Sequence, residues 1–101
     1  MFLFHLLLPV YDNSGRRIPV KKFQQVKKEL TEEFGGLTAY NRSVAEGLWE
    51  KGETTHRDAI IVYEVMAPTV RKRWWNRYRE LLEKRFKQET IIIRMQSTRL
   101  L

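Results

Sequence analysis

The chain has 101 residues, 43% hydrophobic and 31% charged, a composition that fits one folded domain over residues 1–101 and argues against disorder. It has no cysteine, which removes disulfides, thiolate catalysis and cysteine-built zinc sites, and two histidines, His5 and His56, are too few for a His-rich metal site. The net charge of +7 sits entirely at the end: residues 1–70 carry nine basic and nine acidic side chains, residues 71–101 ten and three.

Residues 2–11 (FLFHLLLPVY) read as a buried strand, short, apolar and closed by the turn cluster Asp12-Asn13-Ser14-Gly15. Nine residues, 2–10, are too few to cross a bilayer, and they lack a basic leader and a small-residue cleavage site. The expectation is a cytoplasmic protein with no membrane segment. Pro19 then opens a helix, because a proline at the first helical position lacks a donor that would be unsatisfied anyway. Val20, Phe23, Val26, Leu30 and Phe34 recur at spacings of three and four, one apolar stripe. Gly35-Gly36 ends it, glycine being the residue that accepts a left-handed cap.

Residues 37–41 predict a short strand and 42–46 a loop or edge irregularity. Gly47-Leu48-Trp49 resumes the strand, Lys51-Gly52-Glu53 turns, and residues 55–66 form the clearest strand, rich in Ile and Val. Residues 37–66 are thus one long, irregular hairpin. Ala67-Pro68-Thr69 breaks it, with Thr69 placed to cap a second helix. Trp74, Trp75, Tyr78, Leu81, Leu82 and Phe86 share one broad face of that helix, with Arg73, Arg77, Glu80 and Lys84 opposite. Residues 90–96, built on Ile91-Ile92-Ile93, make the final strand. The order β-α-β-β-α-β is the ferredoxin-like pattern, α+β, with a four-stranded antiparallel sheet and two helices on one face.

Side chains of a strand alternate faces. Phe4, Leu6 and Leu8 oppose Leu3, His5 and Leu7; Ile91 and Ile93 oppose Ile92 and Arg94; Ile60 and Val62 oppose Ile61, Tyr63 and Val65. Helices on one face leave the other to water, yet that face is also apolar, and an exposed apolar patch marks an interface. The simplest partner is a second copy in a two-fold dimer packed through the outer sheet face. The competing reading folds residues 42–56, with Leu48 and Trp49, over the sheet of a monomer.

Few polar residues can carry chemistry. His5, on the outer face, is of the residue type that suits a general base, or else is a core or interface histidine with one nitrogen satisfied. Arg94, on the matching face of the last strand, suits a carboxylate or phosphate, or else an ion pair with Glu64 or Glu89. Tyr40, Arg42, Glu46 and Trp49 gather around the hairpin, where an aromatic and an arginine suit a small planar acid; the plainer alternative pairs Arg42 with Glu46 and lets Trp49 cap the sheet. His56-Arg57-Asp58 reads as strand-end ornament. There is no Gly-x-Gly-x-x-Gly, phosphate loop, metal-ligand spacing or serine nucleophile elbow, so no cofactor and no metal are expected.

Phe34-Gly35-Gly36-Leu37-Thr38-Ala39-Tyr40, Gly47-Leu48-Trp49, Arg57-Asp58, Tyr78-Arg79, Arg85-Phe86 and Gln88-Glu89 together resemble a group of small bacterial proteins of the ferredoxin-like or dimeric α+β-barrel fold. The likeness covers most of residues 34–96. It implies the fold and the dimer. Many dimeric α+β-barrel proteins are cofactor-independent monooxygenases, isomerases or small-ligand binders, but none of their catalytic motifs matches here residue by residue, so the resemblance implies no activity.

Nucleic acid, or an acidic protein, met through the basic helix 71–87 is the rival partner. Arg71, Lys72, Arg73, Arg77 and Lys84 offer cations for phosphates, or simply a solvated helix face. Residues 57–63 lack the glycine and paired aromatics of an RNA-recognition strand, and Trp74 and Trp75 fit a core better than a stacking platform, so this reading is not favoured. The leading expectation is a homodimer that binds a small anionic ligand between sheet and hairpin through His5, Tyr40, Arg42, Trp49 and Arg94. A cofactor-independent enzyme with His5 as base is the alternative.

Overall fold

The computed structural model describes residues 1–42 and 59–101. The elements in chain order are β1 (Phe2–Pro9), α1 (Val20–Phe34), β2 (Thr38–Arg42), β3 (Ile60–Ala67), α2 (Lys72–Arg85) and β4 (Ile92–Ser97). The sheet runs β2-β3-β1-β4, each neighbouring pair antiparallel, with a helix in each crossover, which is the ferredoxin-like layout. Among the described residues no helix is long and apolar enough to cross a membrane. The expected strand at Gly47-Leu48-Trp49, the turn at Lys51-Gly52-Glu53 and the strand start at Thr55 lie outside the described residues.

The core lies between sheet and helices. Phe4, Leu6 and Leu8 of β1 meet Phe23, Val26 and Leu30 of α1 and Trp75, Tyr78 and Leu82 of α2, all buried. Each such side chain contributes roughly 1.5–3 kcal/mol when taken out of water. Aromatic stacking orders one end: Trp75 lies flat between Phe4 and Phe34, at centroid distances of 4.6 and 5.2 Å. The helices run antiparallel, since Phe34 near the end of α1 packs on Trp74 near the start of α2, and Phe23 packs on Phe86 past the end of α2.

Two apolar positions leave the stripes read from the sequence. Val20 is 62% exposed, because α1 begins there and its first turn presents Phe23 to the core. Leu81 is 44% exposed, because the face of α2 that touches the core is centred on Trp75, Tyr78 and Leu82 and is narrower than the apolar arc.

Helix ends differ too. Thr69 does not cap α2: Arg71 holds that position in the left-handed region, with no side-chain cap bond. Gly35 does end α1 as expected, at φ 82°, with its N–H donating to Thr31 C=O at 2.7 Å. The end of α2 closes as a Schellman motif: Gln88 N–H donates to Glu83 C=O at 2.9 Å and Lys87 N–H to Lys84 C=O at 3.3 Å. Lys87, at φ 53°, therefore occupies the place such a motif usually gives to glycine.

Candidate functional site

Strand register decides which outer-face residues meet. His5 of β1 stands opposite Glu64 of β3 on one side and Arg94 of β4 on the other. Thr38 of β2 stands opposite Glu64. One polar row, Thr38–Glu64–His5–Arg94, therefore crosses all four strands. The next row along is apolar: Tyr40, Val62, Leu7 and Ile92. On the other side lie Met66, Leu3 and Gln96. The outer face is thus an oily surface with one charged stripe. Tyr40 and Ile92 are 44% and 52% exposed, so that surface meets solvent, whereas Val62 on the same face is buried.

The stripe has internal structure. His5 Nε2–H donates to Glu64 Oε1 at 2.9 Å, and both side chains are about four-fifths covered. A carboxylate only accepts, so this bond places the hydrogen on Nε2 and leaves the Nδ1 lone pair to accept. The expected ion pair between Arg94 and Glu64 or Glu89 does not form; Glu64 serves His5 instead. Arg94 is exposed and has no acidic partner among the described residues. A carboxylate-held histidine beside a free guanidinium can hold an anion and can move a proton next to it.

The remaining candidates do not converge there. Tyr40 is two strands from β1, about 10 Å at the usual strand spacing, and one row along. Arg42 ends β2 opposite Ile60, two rows from the charged stripe. Within one subunit, the backbone positions of Tyr40 and Arg42 thus stand apart from those of His5 and Arg94. Trp49, Glu46 and His56-Arg57-Asp58 lie outside the described residues. No group of three or more His, Asp or Glu is placed to hold a metal among the described residues.

On the opposite side of the molecule Arg71 and, in α2, Lys72, Arg73, Arg77 and Lys84 are exposed, while Arg79 and Arg85 are partly covered. Arg71 is engaged: it pairs with Glu33 and lies over Phe34 and Trp74 at 5.5 and 5.2 Å. Arg73, Arg77 and Lys84 share the ridge facing away from the core with Glu80, while Lys72 lies toward β4. Trp75 is buried and Trp74 stacks on Tyr78 at 4.9 Å, so both belong to the packed layer rather than to a base-stacking platform.

A cluster between the helices escaped the sequence reading. Arg85 donates twice to Glu29, at 2.8 and 2.9 Å, and Tyr78 Oη–H donates to the same carboxylate at 2.8 Å. Burial works to raise the Glu29 carboxyl, but the Arg85 and Tyr78 bonds outweigh it and hold the group below its ordinary value. Burial, then the Glu29 carboxylate, push the Tyr78 phenol far upward. These groups tie α1 to α2; no element of the outer face reaches them.

The chain matches no protein-family model, no curated protein and no solved structure. The resemblance over residues 34–96 stays an expectation.

Proposed function

We propose that the protein binds a small anion, a carboxylate or phosphate, on the outer face of its sheet, with two copies stacked outer face to outer face around it. The observation that carries this is the position of Arg94: exposed, without an acidic partner among the described residues, directly opposite a histidine and bordered by Leu7 and Ile92. A guanidinium offers five donors in a planar fork that matches an oxyanion. The apolar rows on either side supply what a second copy would cover, excluding water and strengthening the charge interaction. A cytoplasmic location belongs to this reading, supported by the cysteine-free composition.

The Glu64–His5 bond favours a second reading in which the same site is a cofactor-independent enzyme. A carboxylate that fixes the tautomer of a histidine prepares its other nitrogen as a general base. His5→Ala separates the two: a binder keeps most of its anion affinity through Arg94, whereas an enzyme loses turnover.

Isothermal titration of the full chain with inorganic phosphate and with oxalate, an acid with no hydrocarbon body, tests the binding claim. Wild type binds at least one of the two, and Arg94→Ala weakens that binding tenfold or more, about 1.4 kcal/mol. Equal affinity in both chains, or no heat with either anion at about 10 mM, the weak-binding end of the affinity scale, overturns it.

A further inference from the structure

The inner face holds a separate feature, far from the polar row. Two helices do not fully cover four strands, and β4 is an edge strand whose inner residues are only partly covered: Met95 is 47% exposed. Between this strand and the flank of α2 lies a cleft of about 320 Å³, within the range of small-molecule sites. Its apolar wall is Phe4, Val70, Ile93 and Met95. Its polar wall comes from α2, where Lys72, Asn76 and Arg79 recur at spacings of four and three and so share one side of the helix.

Trp75 completes the wall, and it is anomalous. It is 6% exposed, and its indole Nε1 is buried without an acceptor, the one side-chain polar atom so placed among the described residues. The neighbouring cations divide their roles. Arg79 is committed to Glu83 at 2.8 Å, while Lys72 has no acidic partner among the described residues.

We infer that this cleft is a second binding site, for a small aromatic or aliphatic monocarboxylate. Its hydrocarbon body lies on Phe4, Ile93 and Met95, and its acid group meets the Lys72 ammonium, with the Trp75 ring as part of the wall. Two features converge on that ligand: an oily wall asks for a hydrocarbon, and an uncommitted ammonium asks for an anion. A fully apolar ligand would satisfy only the first.

The test is an NMR titration of the ¹⁵N-labelled full chain with phenylacetate and, separately, with phenylacetamide. The Trp75 indole cross-peak, assigned by its disappearance in Trp75→Phe, shifts saturably with phenylacetate. The acid binds about tenfold tighter than the amide, and Lys72→Ala removes that difference. Arg94→Ala leaves the saturable phenylacetate shift of the Trp75 peak unchanged, which separates this site from the outer face. Met95→Trp, a change at a half-exposed position, fills the cleft and abolishes binding in a chain that stays folded. The inference is overturned if the Trp75 peak does not move with phenylacetate at about 10 mM, if acid and amide bind equally, or if Arg94→Ala abolishes the shift while Lys72→Ala does not.

Discussion

Glu64→Gln isolates the electrostatics of the outer-face stripe. Glutamine keeps an oxygen to accept from His5 Nε2, so the 2.9 Å bond and the placement of the histidine survive. What is removed is one negative charge, in the same row as Arg94 but two strands away. At the usual spacing that is about 10 Å. A unit charge at that distance acts on an anion at Arg94 with ~0.4 kcal/mol in a water-like medium and ~1.7 kcal/mol at an effective dielectric of about 20. Glu64 is mostly covered and Arg94 exposed, so the repulsion lies between those limits, about 0.5–1 kcal/mol. Its removal tightens phosphate binding by a factor of roughly two to five. The assay is isothermal titration at low salt, repeated near 0.3 M, where screening over about 6 Å shrinks the gain. Unchanged or weaker binding at low salt, in a chain with wild-type melting behaviour, refutes the reasoning, because the anion then does not sit in the field of Glu64.

Four further outcomes test the fold that holds the site. The Glu29 carboxyl is held below its ordinary 4.5 by Arg85 and Tyr78 against the effect of burial, so its stabilisation is complete above that value and is lost as pH falls through the lower native value. Melting temperature therefore drops below about pH 4.5, and Glu29→Gln flattens that dependence; an unchanged slope contradicts the assignment. Lys87→Gly relieves a left-handed backbone at φ 53° and raises stability by up to about 1 kcal/mol in urea unfolding, whereas a loss would mean the Lys87 side chain matters more than its backbone. Gly35→Ala does the reverse, costing about 1 kcal/mol, since open space surrounds a Cβ there and only the φ of 82° resists it. Leu82→Ala removes a fully buried side chain from the centre of the helix layer and costs about 2–5 kcal/mol in the same assay.

Alternation carried most of the fold. The parity of Leu3, His5 and Leu7 against Phe4, Leu6 and Leu8, and of Ile60 and Val62 against Ile61, Tyr63 and Val65, assigned inner and outer faces that the register bears out. The same parity put His5 and Arg94 on one face, and pairing in register made them opposite neighbours. The partner of His5 was legible in principle, because Glu64 has the parity of Ile60 and Val62. The sequence alone offered Glu64 to Arg94, since charge pairing without register cannot rank two candidates. Arg71 as a left-handed helix start left no signal, because nothing in its side chain favours positive φ. The Trp75 indole was equally silent: periodicity placed the ring in the core, but only packing decides whether its N–H finds an acceptor. Glu29 with Arg85 joins residues 56 apart on different helices, a distance at which charge patterning along one helix says nothing.

The claim on which the rest turns is that the outer face works in pairs. Light scattering of the full chain at about 50 μM, well above the dissociation constant of a stable dimer, measures it directly. The expected mass is that of two chains, each 12.2 kDa, falling to one in Ile92→Glu, which sets a charge in the middle of the oily row. A wild-type mass of 12.2 kDa, with and without phosphate, contradicts the account.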